Sequence, residues 1–154
     1  MAKVQNQCVW ALIVGIGNPA QYRTLLDVQN LHERVLFLPL RPDVDFYYAA
    51  ADAYVGPSLE DAFALPPLEA MACGVPAIVS RQAGVSELVT SGVDGFILEE
   101  PGNSDELACW ISKLISDPRL YATLVQNSIA TARKYTWDKN AEELFGLFLQ
   151  SRGQ

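Results

Sequence analysis

The chain has 154 residues, half of them hydrophobic, and a formal net charge of −7. That length supports one domain with a real core, and the composition excludes a disordered chain. The acidic balance excludes a nucleic-acid partner, whose phosphates need a basic face, but not a nucleotide held locally by backbone amides.

No apolar run approaches the roughly 20 residues of a membrane span, and the first residues do not read as a signal peptide. Cys8, Cys73 and Cys109 are scattered, and His32 is the one histidine, so no zinc or disulfide spacing arises. Buried, reduced thiols in a cytosolic protein are the expectation.

Strand-like and helix-like segments alternate along the chain. VWALIVG (Val9–Gly15) is a continuous apolar run ending in glycine, the pattern of a strand buried on both faces. Pro19–Leu31 suits a helix. RVLFLPL (Arg34–Leu40) is the next strand, stopped by Pro39 and Pro42, and Asp43 stands where it would cap a helix over Asp43–Ala51. AYVGPS (Ala53–Ser58) reads as a short strand, Pro66–Cys73 as a helix and PAIVS (Pro76–Ser80) as a strand. A short helix over Val85–Ser91 follows, then a turn at Asp94-Gly95 and the strand Gly95–Glu99. Beyond Pro101-Gly102 three helices are predicted: Asn103–Ser116, one after Asp117-Pro118 running to about Lys134, and Trp137 to about Leu149. This alternation implies a parallel sheet covered by helices on both faces, with any ligand bound beyond the carboxyl ends of the strands.

One stretch at such an end, PSLEDAFALPPLEAMACG (Pro57–Gly74), places Asp61 and Glu69 on either side of a turn into a proline-started helix. Pro66 and Pro67 suit the first helical turn, where a missing N–H costs nothing. Leu65 then falls at the N-cap, where its side chain cannot accept a hydrogen bond. The amides from Ala62 through Leu65 are left as an anion seat at the positive end of the helix. Glu69, expected in the first turn, can either complement the dipole or accept the two vicinal hydroxyls of a ribose. Gly15-Ile16-Gly17 reads equally as a structural tight turn or a ligand contact.

These residues resemble the donor-binding segment of the group 1, GT-B-type retaining glycosyltransferases. That family carries an E-x7-E pattern around E-G-F-G-L-P-P-L-E-A-M-A-C-G; here it reads D-x7-E, Asp61 to Glu69. The resemblance extends from about Val9 to the final helix. It implies the C-terminal half of a GT-B fold, a single Rossmann-like α/β/α domain over residues 1–154 with a parallel sheet of five or six strands. It further implies that Glu69 binds the ribose of a UDP- or GDP-sugar and that Asp61 lies against the donor sugar. Phe63, Ala64 and Leu65 would approach sugar and diphosphate, Leu40 and Arg41 would seat the base, and Gly15 and Gly17 would form the glycine turn. No catalytic base, cofactor or metal is assigned. The full enzyme would be cytoplasmic or peripheral at the inner membrane face.

The match departs in places. Asp61 is shorter than glutamate by one methylene, about 1.5 Å, and Ala62 and Ala64 stand where the family has glycines. A positive φ at either would cost roughly 1 kcal/mol. MAKVQNQC offers Lys3 but neither the family's first strand nor its basic pair for the diphosphate, and the acceptor-binding N-terminal domain is not represented. The expected function is donor binding for retaining glycosyl transfer, inactive without an acceptor domain. The alternative is a degenerate, non-catalytic module kept for structure or partner binding. A nicotinamide-type dinucleotide domain on VGIGNP is disfavoured, since the third glycine is absent. Glu87 is expected to cap or form a surface ion pair, Trp137 to pack in the core, and His32 to be a solvated loop residue. A dimer through the exposed interdomain face is a further expectation.

Overall fold

The computed structural model describes residues 3–4, 8–15 and 17–151. Residues 1–2 and 5–7 of MAKVQNQC, and Ile16 of the glycine turn, lie outside the described residues. Five strands alternate with helices as expected: β1 (Ala11–Val14), β2 (Val35–Leu38), β3 (Tyr54–Gly56), β4 (Ala77–Ser80) and β5 (Gly95–Leu98). The helices are α1 (Arg23–Val28), α2 (Asp45–Ala49), α3 (Leu65–Ala72), α4 (Ser104–Ser116), α5 (Pro118–Ala132) and α6 (Trp137–Ser151). Short 3-10 turns occupy Pro19–Tyr22 and Gly84–Leu88.

Every strand pair is parallel, but the strands fall into two sheets, β1-β2 and β3-β4-β5. Burial differs sharply between them. All residues of β4 and β5 are buried, and the period of two sorts them onto two faces. Ala77, Val79 and Ile97 join Met71, Val85 and Ala132 on one side. Ile78, Phe96 and Leu98 meet Leu114 and Leu124 on the other, where Trp110 stacks on Phe96 at 4.5 Å. Burying a side chain such as Phe96 or Leu98 contributes about 1.5–3 kcal/mol. By contrast β1, expected to be buried on both faces, has no buried residue. The β1-β2 unit has a small buried cluster of Leu26, Leu31 and Val35, with Ala11, Ile13 and Phe37 packed against it.

Local signals placed most elements, and the exceptions have physical causes. Asp43 does not cap α2, because Arg41 holds its carboxylate through Nε at 2.9 Å and Nη2 at 2.7 Å; Val44 is the N-cap instead. The helix expected over Pro19–Leu31 splits, since Asn18 caps a 3-10 turn before α1 begins. Asn103 and Asp117 do cap α4 and α5, accepting from the amides of Glu106, Arg119 and Leu120. Asp94 is buried at the turn before β5, accepting from the Thr90 amide and the Thr131 hydroxyl, each at 2.7 Å, and so ties α5 to the sheet.

Several core assignments fail. Trp137 is 76% exposed, and α6 contains no buried residue. Its apolar stripe, including Leu144, Leu147 and Phe148, is exposed. Cys8, Cys73 and Cys109 are all exposed rather than buried. His32 is a loop residue, as expected, and pairs with Asp27.

Beyond the ends of β3 and β4 the two chains stay zipped. The Asp61 amide donates to the Gln82 carbonyl (3.4 Å), Gly84 N–H to the Asp61 carbonyl (3.0 Å) and Val85 N–H to the Phe63 carbonyl (2.8 Å). A β-carbon on Gly84 would lie 2.1 Å from the Ala62 carbonyl oxygen and 3.2 Å from the Phe63 α-carbon, so no side chain fits. Gly84→Ala is accordingly expected to destabilise the fold by roughly 3 kcal/mol through backbone displacement. Urea unfolding checks this, and a loss below about 0.5 kcal/mol would mean the zipper is slack.

Candidate functional site

The zipper fixes the loop between β3 and α3. Asp61 turns back on its own backbone: its Oδ1 accepts the Phe63 amide at 3.0 Å. The Phe63 amide is therefore taken, contrary to the expectation that every amide from Ala62 to Leu65 lacks a partner. Among the described residues no hydrogen bond reaches the amides of Ala62, Ala64 or Leu65.

The helix starts one residue earlier than expected. Ala64, not Leu65, is the N-cap of α3, with φ 64° and ψ 95° and no side-chain cap. Leu65 is the first helical residue, and Pro66 and Pro67 follow with no N–H to offer. The helix therefore presents a sparse but directed set of donors, led by the Leu65 amide, at its positive end. Ala64 has a positive φ and Ala62 does not, so the strain anticipated for the two alanines falls on Ala64 alone.

Because α3 starts early, Glu69 lies in its second turn rather than its first. A dipole-complementing role weakens accordingly, since that effect fades beyond the first turn. Instead Glu69 Oε2 accepts the Tyr48 hydroxyl at 2.9 Å. The neighbouring Tyr47 donates to the Pro39 carbonyl at 2.7 Å. Through these adjacent tyrosines α2 joins the end of β2, where Leu40 and Arg41 lie, to the Glu69 face of α3.

Each carboxylate thus commits one oxygen to its own orientation. No hydrogen bond among the described residues reaches Asp61 Oδ2 or Glu69 Oε1. Tyr54, on β3, is held in its neutral form above the usual phenol range by burial first, then by the charges of Asp61 and Glu69. Both acids therefore act on one neighbourhood. Burial and the Glu69 hydrogen bond push Tyr48 up well beyond an ordinary tyrosine, and burial with Asp45 and Glu69 raises Cys73. Of these groups only the Tyr48 hydroxyl donates to one of the two acids.

A cleft of about 380 Å³ opens beside Asp61, lined by Ala62, Arg81, Gly84, Ser86 and Glu87 among others; Glu69 lies outside its lining. Arg81 was missed by sequence reasoning, although its place just beyond β4, at a strand's carboxyl end, was the available signal. Its guanidinium is bound to Glu99 through Nε at 3.0 Å and Nη2 at 2.5 Å, which holds the Glu99 carboxyl below its usual range. Glu87 forms no ion pair among the described residues and faces the cleft instead.

The remaining predicted residues stand apart. Gly15 follows β1 with φ +83°, and a β-carbon there would touch only Leu40 at 3.8 Å. Leu40 is 74% exposed. Arg41 is engaged by Asp43 and lies 5.9 Å from the Phe46 ring centre. Gly17 has nothing within 4 Å of its β-carbon position. No hydrogen bond or ion pair among the described residues joins these four to Asp61 or Glu69. No cluster among the described residues could hold a metal ion, and no helix there is long and apolar enough to cross a membrane.

With this geometry in hand, comparison with known proteins is informative. Residues 1–131 match the family described as glycosyl transferases group 1. D-inositol 3-phosphate glycosyltransferase of Acidothermus cellulolyticus is 34% identical over 133 residues, covering 84% of this chain but 29% of that protein. HepE of Anabaena, solved in complex with UDP, is 32% identical with a TM-score of 0.83, covering 97% of this chain and 43% of that one. HepE has also been solved with UDP-glucose. The C-terminal domain of a group 1 glycosyl transferase (LpcC) from Francisella tularensis shares the fold, with a TM-score of 0.73 at 24% identity over 81% of this chain and 68% of that one. The chain thus spans well under half the length of the first two.

Replacing Ala64 by glycine should relieve the positive φ and stabilise the protein by about 1 kcal/mol, raising Tm by roughly 2–4 °C. A calorimetric scan measures this; an unchanged or lower Tm would show that the N-cap conformation carries no strain.

Proposed function

We propose, because the chain belongs to the group 1 glycosyl transferases, that it binds the nucleoside diphosphate sugar used by a longer retaining glycosyltransferase. The observation that carries this reading is the pair of half-engaged carboxylates. Asp61 and Glu69 are each anchored by one oxygen and open at the other, on either side of a helix start whose amides are unpartnered.

In this reading Glu69 Oε1 accepts a ribose hydroxyl, while the Tyr48 hydroxyl on Oε2 fixes the carboxylate plane. Asp61 Oδ2 accepts a hydroxyl of the donor sugar. The Leu65 amide, at the positive end of α3, meets the diphosphate. Transfer loads negative charge onto the leaving diphosphate as the sugar becomes oxocarbenium-like, so donors aimed at the phosphates lower the barrier. Gly15, Leu40 and Arg41, at the carboxyl ends of β1 and β2, sit on the side proposed for the base. The HepE complexes with UDP and UDP-glucose support a uracil nucleotide and a hexose as first choices. In this reading the acceptor is held by the remainder of a longer protein, in keeping with the 29% and 43% of the two relatives that this chain spans.

The second reading, a non-catalytic module, is favoured by one observation: Arg81, the cation in the cleft lining, is already engaged by Glu99.

Titration calorimetry with UDP and UDP-glucose separates the two. The donor reading expects binding in the millimolar range, weakened at least about tenfold (1.4 kcal/mol) in Glu69→Ala and less in Tyr48→Phe, which removes only the orienting hydroxyl. Absence of heat at millimolar ligand, or binding untouched by Glu69→Ala, would favour the module.

A further inference from the structure

The cleft beside Asp61 is built on a stiff frame. Past β4 the Gln82 amide donates to Ser80 Oγ at 3.1 Å, and the Ser86 hydroxyl donates to the Arg81 carbonyl at 3.2 Å. Ala83, Val85 and Ser86 are buried, and the zipper ties the same stretch to Asp61 and Phe63. Arg81, Gln82 and Glu87 are exposed residues of the cleft lining, and they stand on that fixed backbone. At about 380 Å³ the cleft falls within the roughly 300–1,000 Å³ of small-molecule sites.

The charges around the cleft do not balance. Its ionisable lining residues are Asp61, Arg81 and Glu87. The cation among them is already engaged, since Arg81 grips Glu99 through two nitrogens, and Glu99 lies outside the lining. Asp61 Oδ2 is open, and among the described residues no hydrogen bond or ion pair reaches the Glu87 carboxylate. The cleft therefore offers two unneutralised carboxylates and the Gln82 carboxamide, groups suited to hydroxyl partners. A carboxylate on the ligand would face both acids. Such like-charge juxtaposition actively rejects a partner, which is one of the two routes to specificity.

We propose that Glu87 and the Arg81–Glu99 pair form a charge filter on the donor sugar, selecting neutral hexoses over hexuronates. The filter rests on the donor reading above, in which Asp61 faces the sugar, and it adds the residues that decide which sugar enters. Glu87 supplies repulsion directly. Glu99 acts through Arg81, holding the guanidinium that would otherwise pair with a hexuronate carboxylate in the two-pronged geometry arginine favours.

The test titrates the full chain with UDP, UDP-glucose and UDP-glucuronate, followed by NMR. The two sugar nucleotides differ only at C6, a hydroxymethyl group against a carboxylate. UDP carries no sugar, so both affinities are expressed relative to it. At low salt UDP-glucuronate should bind roughly tenfold more weakly than UDP-glucose. Added salt should shrink that gap by screening the charges. Glu87→Gln should narrow it about threefold or more, and Glu99→Gln, by releasing Arg81, should narrow it further or reverse it. Both positions are exposed, so both variants should fold, which circular dichroism checks. Should one fail to fold, the other carries the test. Glu143→Gln on α6 makes the same charge change elsewhere and should leave the gap in place. Equal narrowing by Glu143→Gln would assign the gap to net charge and overturn the filter. So would a gap that neither salt nor the cleft variants move, the mark of shape rather than charge. UDP binding with equal affinity for the two sugar nucleotides overturns the filter and leaves the donor reading standing. No binding of any of the three at millimolar concentration sinks the donor reading and the filter with it.

Discussion

The site depends on three backbone hydrogen bonds between residues 61–63 and 82–85. They continue the parallel pairing of β3 and β4 past the point where regular strands end, and they hold the loop so closely that only a glycine fits at position 84. Everything proposed for the ligand follows from that closeness. With Asp61 and Phe63 pinned on their carbonyl sides, the chain enters α3 through a positive φ at Ala64, with no side-chain cap on the helix.

The pinned loop stands at a boundary between unequal halves. On one side β4, β5, α3, α4 and α5 enclose two buried clusters. On the other β1, α1 and β2 share one small cluster, with β1 nowhere buried. Fewer buried apolar contacts mean a lower free energy of local opening, so the half carrying Gly15, Leu40 and Arg41 should be the less rigid partner in any binding event. The α2 tyrosines, one bonded to Pro39 and the other to Glu69, form a link across that boundary. Affinity is reduced when one side of a site must be ordered as the ligand enters. Under the donor reading, weak binding by this chain is the expected consequence.

The alternation of strands and helices was legible because it is written in local periodicity and in proline and glycine punctuation, signals that survive without tertiary context. The acidic pair stood out through the family resemblance, and the two prolines marked the helix start to within one residue. What the sequence did not disclose depends on what surrounds each segment. Val9–Gly15 has the apolar run of a doubly covered strand, yet covering requires neighbours that the described residues do not supply. Trp137 and the apolar stripe of α6 have the period of a packed helix, and that period says nothing about whether a partner is present. Asp43 has the chemistry of a cap, but Arg41 two residues away competes for it and wins with two charge-assisted bonds. Glu69 was misplaced by one residue of helix register, enough to exchange a dipole role for a hydrogen bond to Tyr48. Arg81 carries no local signal beyond its place after a strand.

The central claim is that the helix start after Ala64 and the open oxygens of Asp61 and Glu69 form one berth. The most direct measurement is a titration of isotopically labelled protein with UDP-glucose, followed amide by amide in nuclear magnetic resonance spectra. Shifts concentrated at Ala62, Ala64, Leu65 and Gly15, with Tyr48 and Glu69 moving alongside, are the result this account predicts. Spectra unchanged at millimolar ligand, or shifts confined to α5 and α6 while those residues stay silent, would contradict it.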